Sequence, residues 1–528
     1  MNPTAGFIDR SEILPEVAHV AGADRPTARP GSRGARRAML HGMAPLLREL
    51  EALFGPDRSL TTPDSLLAYE KDAFTVHRRR PLAVVLPEST EEVQEAVRIL
   101  CRHETPFLPR GAGTGLSGGA TPTCETVVLD TARMKRVLTV DTVEQVAVVQ
   151  PGVVNLNLSA HVAEHGLHYA PDPSSQMVCT IGGNLAENSG GPHCFKYGMT
   201  TDHVLGATVV LPDGELAHLG GITGARRPGS FDLTGLFCGS EGTFGIATEI
   251  TVRLLRNQES TVTLLASFRS MDDACGTVSD IVATGQVPAA LEILDQGTIA
   301  AIEASVFKAG YPQDATAVLL VELDGPSLAT DPEAQEVHTI CRNRNAIDVE
   351  TATSDEDRRR LWKGRKGAFG AMGRLNTDLY VLDGVVPRTQ LVETLRKIAE
   401  IGERHQLTLT NVFHAGDGNL HPNISYDGRD PEETDRVIAA GMEILQTCVD
   451  AGGSISGEHG IGTEKLAHVG LMFNADDLEV MSRVRSAFNP SGLCNPGKVL
   501  PSRSSCAEVG RWPQMAERVL GNDGDESS

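Results

Sequence analysis

The sequence is poor in the features that mark membrane, secreted and nucleic-acid-binding proteins. No apolar run reaches the ~18 residues a membrane helix needs. The opening stretch, MNPTAGFIDRSEILPEVAHV, has neither a positive start nor a continuous apolar segment, so no secretory signal is expected. Basic residues are in deficit. The 47 Lys and Arg face 69 Asp and Glu, and the net charge of −22 repels phosphate backbones, which argues against nucleic acid as a partner. The 10 cysteines are scattered without a Cys-x-x-Cys pair. That excludes a zinc ribbon or an iron–sulfur cluster and predicts reduced, mostly buried thiols. There is no Gly-Lys-Ser/Thr of an ATP-binding loop and no repeat of fixed period. A cytoplasmic enzyme without a transmembrane segment is the expectation.

Glycine is what the chain has in excess. Its 54 glycines are about one residue in ten, against an average near ~7%, and they cluster. Hydrophobic residues, at 40%, suffice for large cores in two to four domains. Residues 1–38 are rich in Pro, Gly and Arg and lack a period, which predicts a disordered tail. From residue 81 strands and helices alternate. PLAVVLP reads as a strand, and STEEVQEAVRILCRH as a helix with Ser89 and Glu92 as a capping box and Val93, Ala96, Val97 and Leu100 on one face. PFLPR, VVLD, QVAVVQPGV, ATVVLPDGE and TEITVRLL read as further strands, which makes 81–256 one α+β domain. Within 260–480, LLASF, AVLLVEL and LTLTNVFH read as strands. SMDDACGTVSDIVATG, RTQLVETLRKIAEIGERH and EETDRVIAAGMEILQTCVDAGG read as helices of a second α+β domain, and the chain from AFNPSGLCNPGKVLP onward reads as loop.

Three glycine clusters sit at strand ends. Gly113-Thr-Gly115-Leu-Ser-Gly118 matches the dinucleotide fingerprint by letter, but Gly119, Pro122 and the strand that follows leave no room for its helix. A glycine loop can still turn backbone N–H groups toward a pyrophosphate, and Arg110 would add charge beside it. The other two clusters are Thr180 to Gly191 and Gly239 to Gly245. Each alone reads equally well as a tight turn; three in one domain point to one extended phosphate-bearing cofactor. Farther on, His414 and His421 flank a Gly-Asp-Gly turn after a strand, and Glu458 and His459 stand between glycines. Two His and a carboxylate suit a divalent metal with open positions, and His459 beside them could be a base with a pKa near working pH. A lone histidine would more often be a packed or solvated one; three His, a Glu and two Asn in two short segments reverse that. Arg365 could clamp a carboxylate bidentately.

RGAGTGLSGGA, APDPSSQMVCTIGGNLAENSGG, GSEGTFG, VFHAGDGNLHPN, GSISGEHGIG and GLCNPGK stand in the order found in one flavoprotein family. From about residue 60 to 508 the chain resembles the FAD-linked 2-hydroxyacid oxidoreductases of the vanillyl-alcohol oxidase group. The glycolate oxidase branch is the nearest in pattern, and D-lactate and D-2-hydroxyglutarate dehydrogenases share it. The resemblance implies a two-lobed FAD-binding domain over 39–257 and an α+β substrate-cap domain with a metal site over 258–483. It also implies a segment, 484–508, that returns to the FAD domain before a tail at 509–528. Arg110, Gly111, Gly113, Thr114, Gly115, Leu116, Ser117 and Gly118 would hold the FAD pyrophosphate. Pro171, Asp172, Ser175, Gly182, Gly183, Asn184, Asn188, Gly190, Glu241, Gly242 and Gly245 would surround the rest of the flavin, joined by Asn495. Neither His nor Cys stands in the first loop, so FAD would be non-covalent.

The resemblance also makes His414, His421 and Glu458 ligands of a divalent ion (zinc, manganese or iron). It makes His459 the base, and Arg365 and Asn423 substrate contacts. The implied reaction oxidises a small 2-hydroxy acid to the 2-oxo acid with hydride passing to flavin N5. Electrons would leave to an iron–sulfur subunit, a paralogous flavoprotein subunit or another acceptor, with peripheral attachment at the inner membrane through those partners. One departure bears on the substrate. Hydroxyglutarate enzymes hold a second carboxylate with a Lys shortly before the Asp of a strand, and Tyr380-Val-Leu-Asp383-Gly384 has none. Glycolate or D-lactate therefore fits better than 2-hydroxyglutarate. Two other classes remain: a flavoprotein subunit without catalysis, against which the intact His/Glu set counts, and a flavin-free metallohydrolase, against which the glycine loops count.

Overall fold

Apolar strand segments pair into three main sheets in a computed structural model that describes residues 43–221 and 231–501. The expected tails at 1–38 and 509–528 lie outside the described residues. The first sheet has four strands, in the order Ser59–Leu60, Ala83–Val85, Val127–Asp130, Phe107–Arg110. Its last three strands are parallel, and the helix Thr90–Arg102 makes the crossover parallel strands require. Val93, Ala96, Val97 and Leu100 are all buried, as their spacing predicts. Ser89 caps the helix by accepting from the Glu92 N–H, but the Glu92 carboxylate accepts from Glu88 N–H and Arg58 instead of returning to Ser89. The capping box is therefore half made.

The second sheet is a five-stranded antiparallel meander with one long return, in the order Val137–Asp141, Val146–Val149, Ile246–Arg253, Val204–Val210, Leu216–Gly220. The third and largest spans 260–426. Ser260–Phe268, Ala317–Gly325, Ala290–Asp295 and Thr408–His414 form its centre, with helices that include Met271–Ala283, Leu391–His405 and Pro431–Asp450. Ala317–Gly325 and Ala290–Asp295 are buried on nearly every residue, and Ile293, Leu319, Val321 and Phe413 belong to the largest core. The chain then comes back to the first sheet. Phe107 N–H donates to the Leu493 carbonyl and Asn495 N–H to the Phe107 carbonyl, so the Cys494 segment lies beside the edge strand. The chain from Ala487 onward reads as loop; just before it the structure has a helix, Ala475–Phe488, that the sequence reading does not identify.

Candidate active site

The three glycine clusters meet around one cavity of about 640 Å³, in the size range of a cofactor site. Gly111, Gly113, Thr114, Gly115, Leu116, Ser175, Gly182, Gly183, Asn184, Gly190, Glu241, Gly242 and Gly245 line it, together with Arg110. Gly113 has φ +68°, and a Cβ there would meet the Arg110 guanidinium at 2.2 Å. The loop is therefore a close wrap of backbone on that arginine. Arg110 does not offer free charge to a pyrophosphate: its guanidinium donates to the carbonyls of Ala120 (2.7 Å) and Lys71 (3.0 Å). Its role is to brace the loop. Among the described residues, the backbone N–H groups of Ala112 to Leu116 find no acceptor, which fits a loop that takes an anion.

The second cluster is not a loop throughout. Ile181–Glu187 is a helix capped by Thr180, whose hydroxyl accepts from Gly183 N–H at 3.2 Å. Glu241, at φ +50°, turns the third cluster, and its carboxylate accepts from Ile461 and Gly462 N–H at 2.6 and 2.7 Å. Six expected cofactor residues do not line the cavity. The Ser117 carbonyl accepts from Thr463 and Glu464 N–H, and the Gly118 carbonyl accepts from Lys498. The Pro171 carbonyl accepts from Asn155, and Asp172 pairs with His193. Asn188 accepts from Thr201 N–H, and Asn495 donates to the carbonyls of Gly119 and Glu241. These residues hold the wall together.

Glu458 and His459 line the same cavity, and behind them the metal-type residues converge. His414 Nε2 and His421 Nε2 stand 3.3 and 3.1 Å from the same oxygen, Glu458 Oε1. Their rings meet edge to face at 5.1 Å. Each imidazole has its other nitrogen occupied. His421 Nδ1–H donates to the Leu382 carbonyl at 3.1 Å, and His414 Nδ1 faces Glu292 Oε1 at 2.7 Å. This is the outer arrangement that turns an Nε2 lone pair toward a metal. Burial opposes charge on His414, yet the Glu292 and Glu458 carboxylates raise its pKa well above the ordinary range. Burial likewise opposes charge on Glu458, and the two histidines hold its carboxyl well below the usual range. Two nitrogens and a carboxylate around one point suit a divalent cation.

One ligand atom from each of Asp383, His421, Glu458 and His459 also falls within 4.8 Å of the others. Asp383 is the weaker ligand. Its oxygens accept from Ser456 Oγ at 2.6 Å and from the backbone N–H groups of Gly457, Glu458 and His459 at 2.8 to 3.2 Å, and Lys465 stands 3.4 Å away. Its lone pairs are spent on fixing the loop that carries Glu458 and His459. The set His414, His421 and Glu458 is the better candidate.

His459 stacks on His421 at 4.9 Å with a 7° tilt, and its Nδ1 is buried without a partner. Burial pushes its pKa down to about 4, against the Asp383 carboxylate, so at neutral pH the imidazole is uncharged and one ring nitrogen can accept. That is lower than the near-neutral value expected from sequence, because burial outweighs the neighbouring charge. Arg365 lies on the helix Asp355–Met372 and is 1% exposed. Its Nε donates to Glu292 Oε2 at 2.6 Å, while Nη1 and Nη2 have no partner. An unpaired buried fork is what a carboxylate ligand would satisfy. Asn423 is fully buried and donates to the His421 carbonyl at 2.7 Å, which leaves only Oδ1 free. Neither Arg365 nor Asn423 lines the cavity itself.

Glu292 was not singled out from sequence, yet it ties Arg365 to His414. The signal available was an acid inside the apolar segment ALEILD. Lys366 and Phe369, which line the cavity from the same helix as Arg365, also escaped notice.

An FAD binding domain matches residues 81–220, and the C-terminal domain of FAD linked oxidases matches 257–499. The glycolate oxidase subunit GlcD of Escherichia coli K12 is 47% identical over 451 residues, 85% of this chain and 90% of that protein. A D-lactate dehydrogenase of Archaeoglobus fulgidus is 34% identical, covering 79% of this chain and 91% of its own. The structure of p-cresol methylhydroxylase with substrate bound superposes with a TM-score of 0.74 at 18% identity, covering 89% and 98% of the two chains, so it shares the fold. The chain belongs to the FAD-linked 2-hydroxyacid oxidoreductases with a vanillyl-alcohol-oxidase-type fold.

Proposed function

We propose that the protein is an FAD-dependent oxidoreductase that converts a small 2-hydroxy acid, glycolate or D-lactate, to its 2-oxo acid. The observation that carries this reading is the unpaired Arg365 fork, joined through Glu292 to the His414, His421 and Glu458 cluster at the edge of the glycine-lined cavity. Bound FAD supplies the hydride acceptor, at flavin N5. His414, His421 and Glu458 would hold a divalent ion, which would supply Lewis acidity to the site. The remaining work belongs to the chain. Arg365 takes the substrate carboxylate with both Nη groups, which removes two unsatisfied donors. His459 is uncharged at neutral pH and accepts the hydroxyl proton. Asn423 holds the His421 backbone in place. The Ala112–Leu116 N–H groups receive the pyrophosphate without a covalent link.

A second reading, oxidation of a dicarboxylate of the 2-hydroxyglutarate kind, is favoured by one observation. Lys366 lines the cavity, 3.8 Å from Asp172 and 5.5 Å over the Trp362 ring, and could receive a second carboxylate despite the missing Lys before Asp383. With no iron–sulfur motif in the chain, the electrons would pass from the flavin to an outside acceptor. No helix among the described residues is long and apolar enough to cross a membrane. A cytoplasmic protein, peripheral at the inner membrane through an iron–sulfur or paralogous flavoprotein subunit, fits that need.

The test is anaerobic rapid mixing of the metal-loaded flavoprotein with glycolate and D-lactate, for the wild type and His459→Ala. The variant should keep its FAD and lose flavin reduction by about 10²- to 10⁴-fold, the usual worth of a general base. Near-normal reduction in the variant would remove His459 from the reaction.

A further inference from the structure

The helix Asp355–Met372 presents more than Arg365 to the site. Phe369 stands one turn further on, at i+4, the spacing that puts two side chains on one helix face. Its ring lies edge-on to His421 at 6.4 Å, and it lines the cavity while Arg365 does not. Leu379 and Val381 line the cavity from the strand Asp378–Val381, where Val381 is paired with Asn423. The helix that places Phe369 is itself fixed. A Cβ at Gly367 would approach the Phe307 ring to 2.3 Å, and one at Gly364 would approach the Tyr311 ring to 2.7 Å, so it packs too closely on those rings to shift outward.

We infer that Phe369 is a specificity-determining residue that limits the size of the group carried on C2 of the hydroxy acid. The inference rests on the reading above and deepens it. A substrate held by the Arg365 fork, with its hydroxyl near His421 and His459, has its remaining substituent next to the Phe369 ring. Leu379 and Val381 offer that substituent an apolar neighbourhood, and the rigid ring bounds its length. Hydrogen or methyl fits such a space, and ethyl or isopropyl crowds it.

The experiment compares wild type, Phe369→Ala and Phe369→Leu, all with FAD content checked by absorbance, on glycolate, D-lactate and D-2-hydroxybutyrate with a dye acceptor. In parallel, the Kd values of pyruvate and 2-oxobutyrate are read from flavin difference spectra. Each methylene a pocket admits or refuses is worth roughly 10- to 200-fold. In Phe369→Ala the ratio of kcat/KM for D-2-hydroxybutyrate over glycolate should rise at least about tenfold, with a parallel gain in relative affinity for 2-oxobutyrate. Phe369→Leu should show a smaller change in the same direction. Unchanged ratios in variants that retain FAD would overturn the inference. If the wild type oxidised none of the three acids and bound neither oxo acid, the functional reading itself would fall, an outcome distinct from unchanged ratios on an active enzyme.

Discussion

Single residues carry the chemistry through how their polar atoms are shared. Arg365 uses one nitrogen on Glu292 and leaves two for a ligand. Lysine keeps the charge but cannot make a planar double contact. Arg365→Lys should therefore raise KM for the hydroxy acid and lower kcat/KM by about 10²-fold, roughly two charge-assisted bonds, while FAD affinity stays unchanged. Steady-state kinetics with a dye acceptor check this; an unaltered kcat/KM would place the substrate carboxylate elsewhere. At this scale the sequence was informative where residue type and glycine flanking coincide, as in His414, His421, Glu458 and His459. It was misleading where a side chain's partners decide its role. Arg110 looks like a phosphate ligand in the chain and turns out to be a brace, because its two Nη groups donate to the carbonyls of Ala120 in its own loop and of Ala68 and Lys71 in a neighbouring one.

At the scale of elements, the strand Ala290–Asp295 and the helix Asp355–Met372 form the support of the site. Glu292, 0% exposed, sits between the buried Arg365 guanidinium and the buried His414 imidazole. Removing one partner of such a set leaves uncompensated buried charge at a cost of about 3 kcal/mol or more. Glu292→Gln should reduce stability in urea by about that amount and weaken divalent-metal affinity roughly 10- to 100-fold, the usual effect of losing a second partner of a ligating histidine. Unchanged metal affinity would show that His414 needs no outer carboxylate. Three of the four strands at the centre of the large sheet were legible as apolar runs, whereas Ala290–Asp295, with Glu292 inside it, was not legible as a strand. The Asp355–Met372 helix was not legible either, because Gly364, Gly367 and Gly370 within it, with Gly373 at its C-cap, lower its helix propensity and blur its apolar stripe. In three dimensions the first three of these glycines are the seam against Tyr311 and Phe307, so tertiary packing overrides propensity. The Glu92 half of the capping box failed for a similar reason: Arg58, distant in sequence, competes for its carboxylate.

At the scale of the whole molecule, a clasp joins the glycine-loop half to the large sheet. His193 Nδ1 meets Asp172 at 2.9 Å and Nε2 meets Glu322 at 3.2 Å, and Lys196 pairs with Asp324 on the same strand. Burial opposes charge on His193, but Asp172 and Glu322 raise its pKa to about 10. The folded pKa lies above the unfolded value near ~6.5, so its stabilisation is complete below that value and is lost as pH rises through about 10. Thermal melts at pH 7 and pH 10 should show a larger drop for wild type than for His193→Gln. Equal drops would mean that the clasp is not the titrating element. No sequence signal brings His193 to Glu322, 129 positions apart, since only the assembled sheets do so.

The most direct test of the central claim is the visible spectrum of the purified, metal-loaded protein before and after anaerobic addition of glycolate, then D-lactate. The account predicts a flavin band that bleaches with one of these acids and that no longer bleaches after the metal is chelated, although FAD stays bound. A flavin band that persists with both acids, in protein shown to hold its metal, would contradict it.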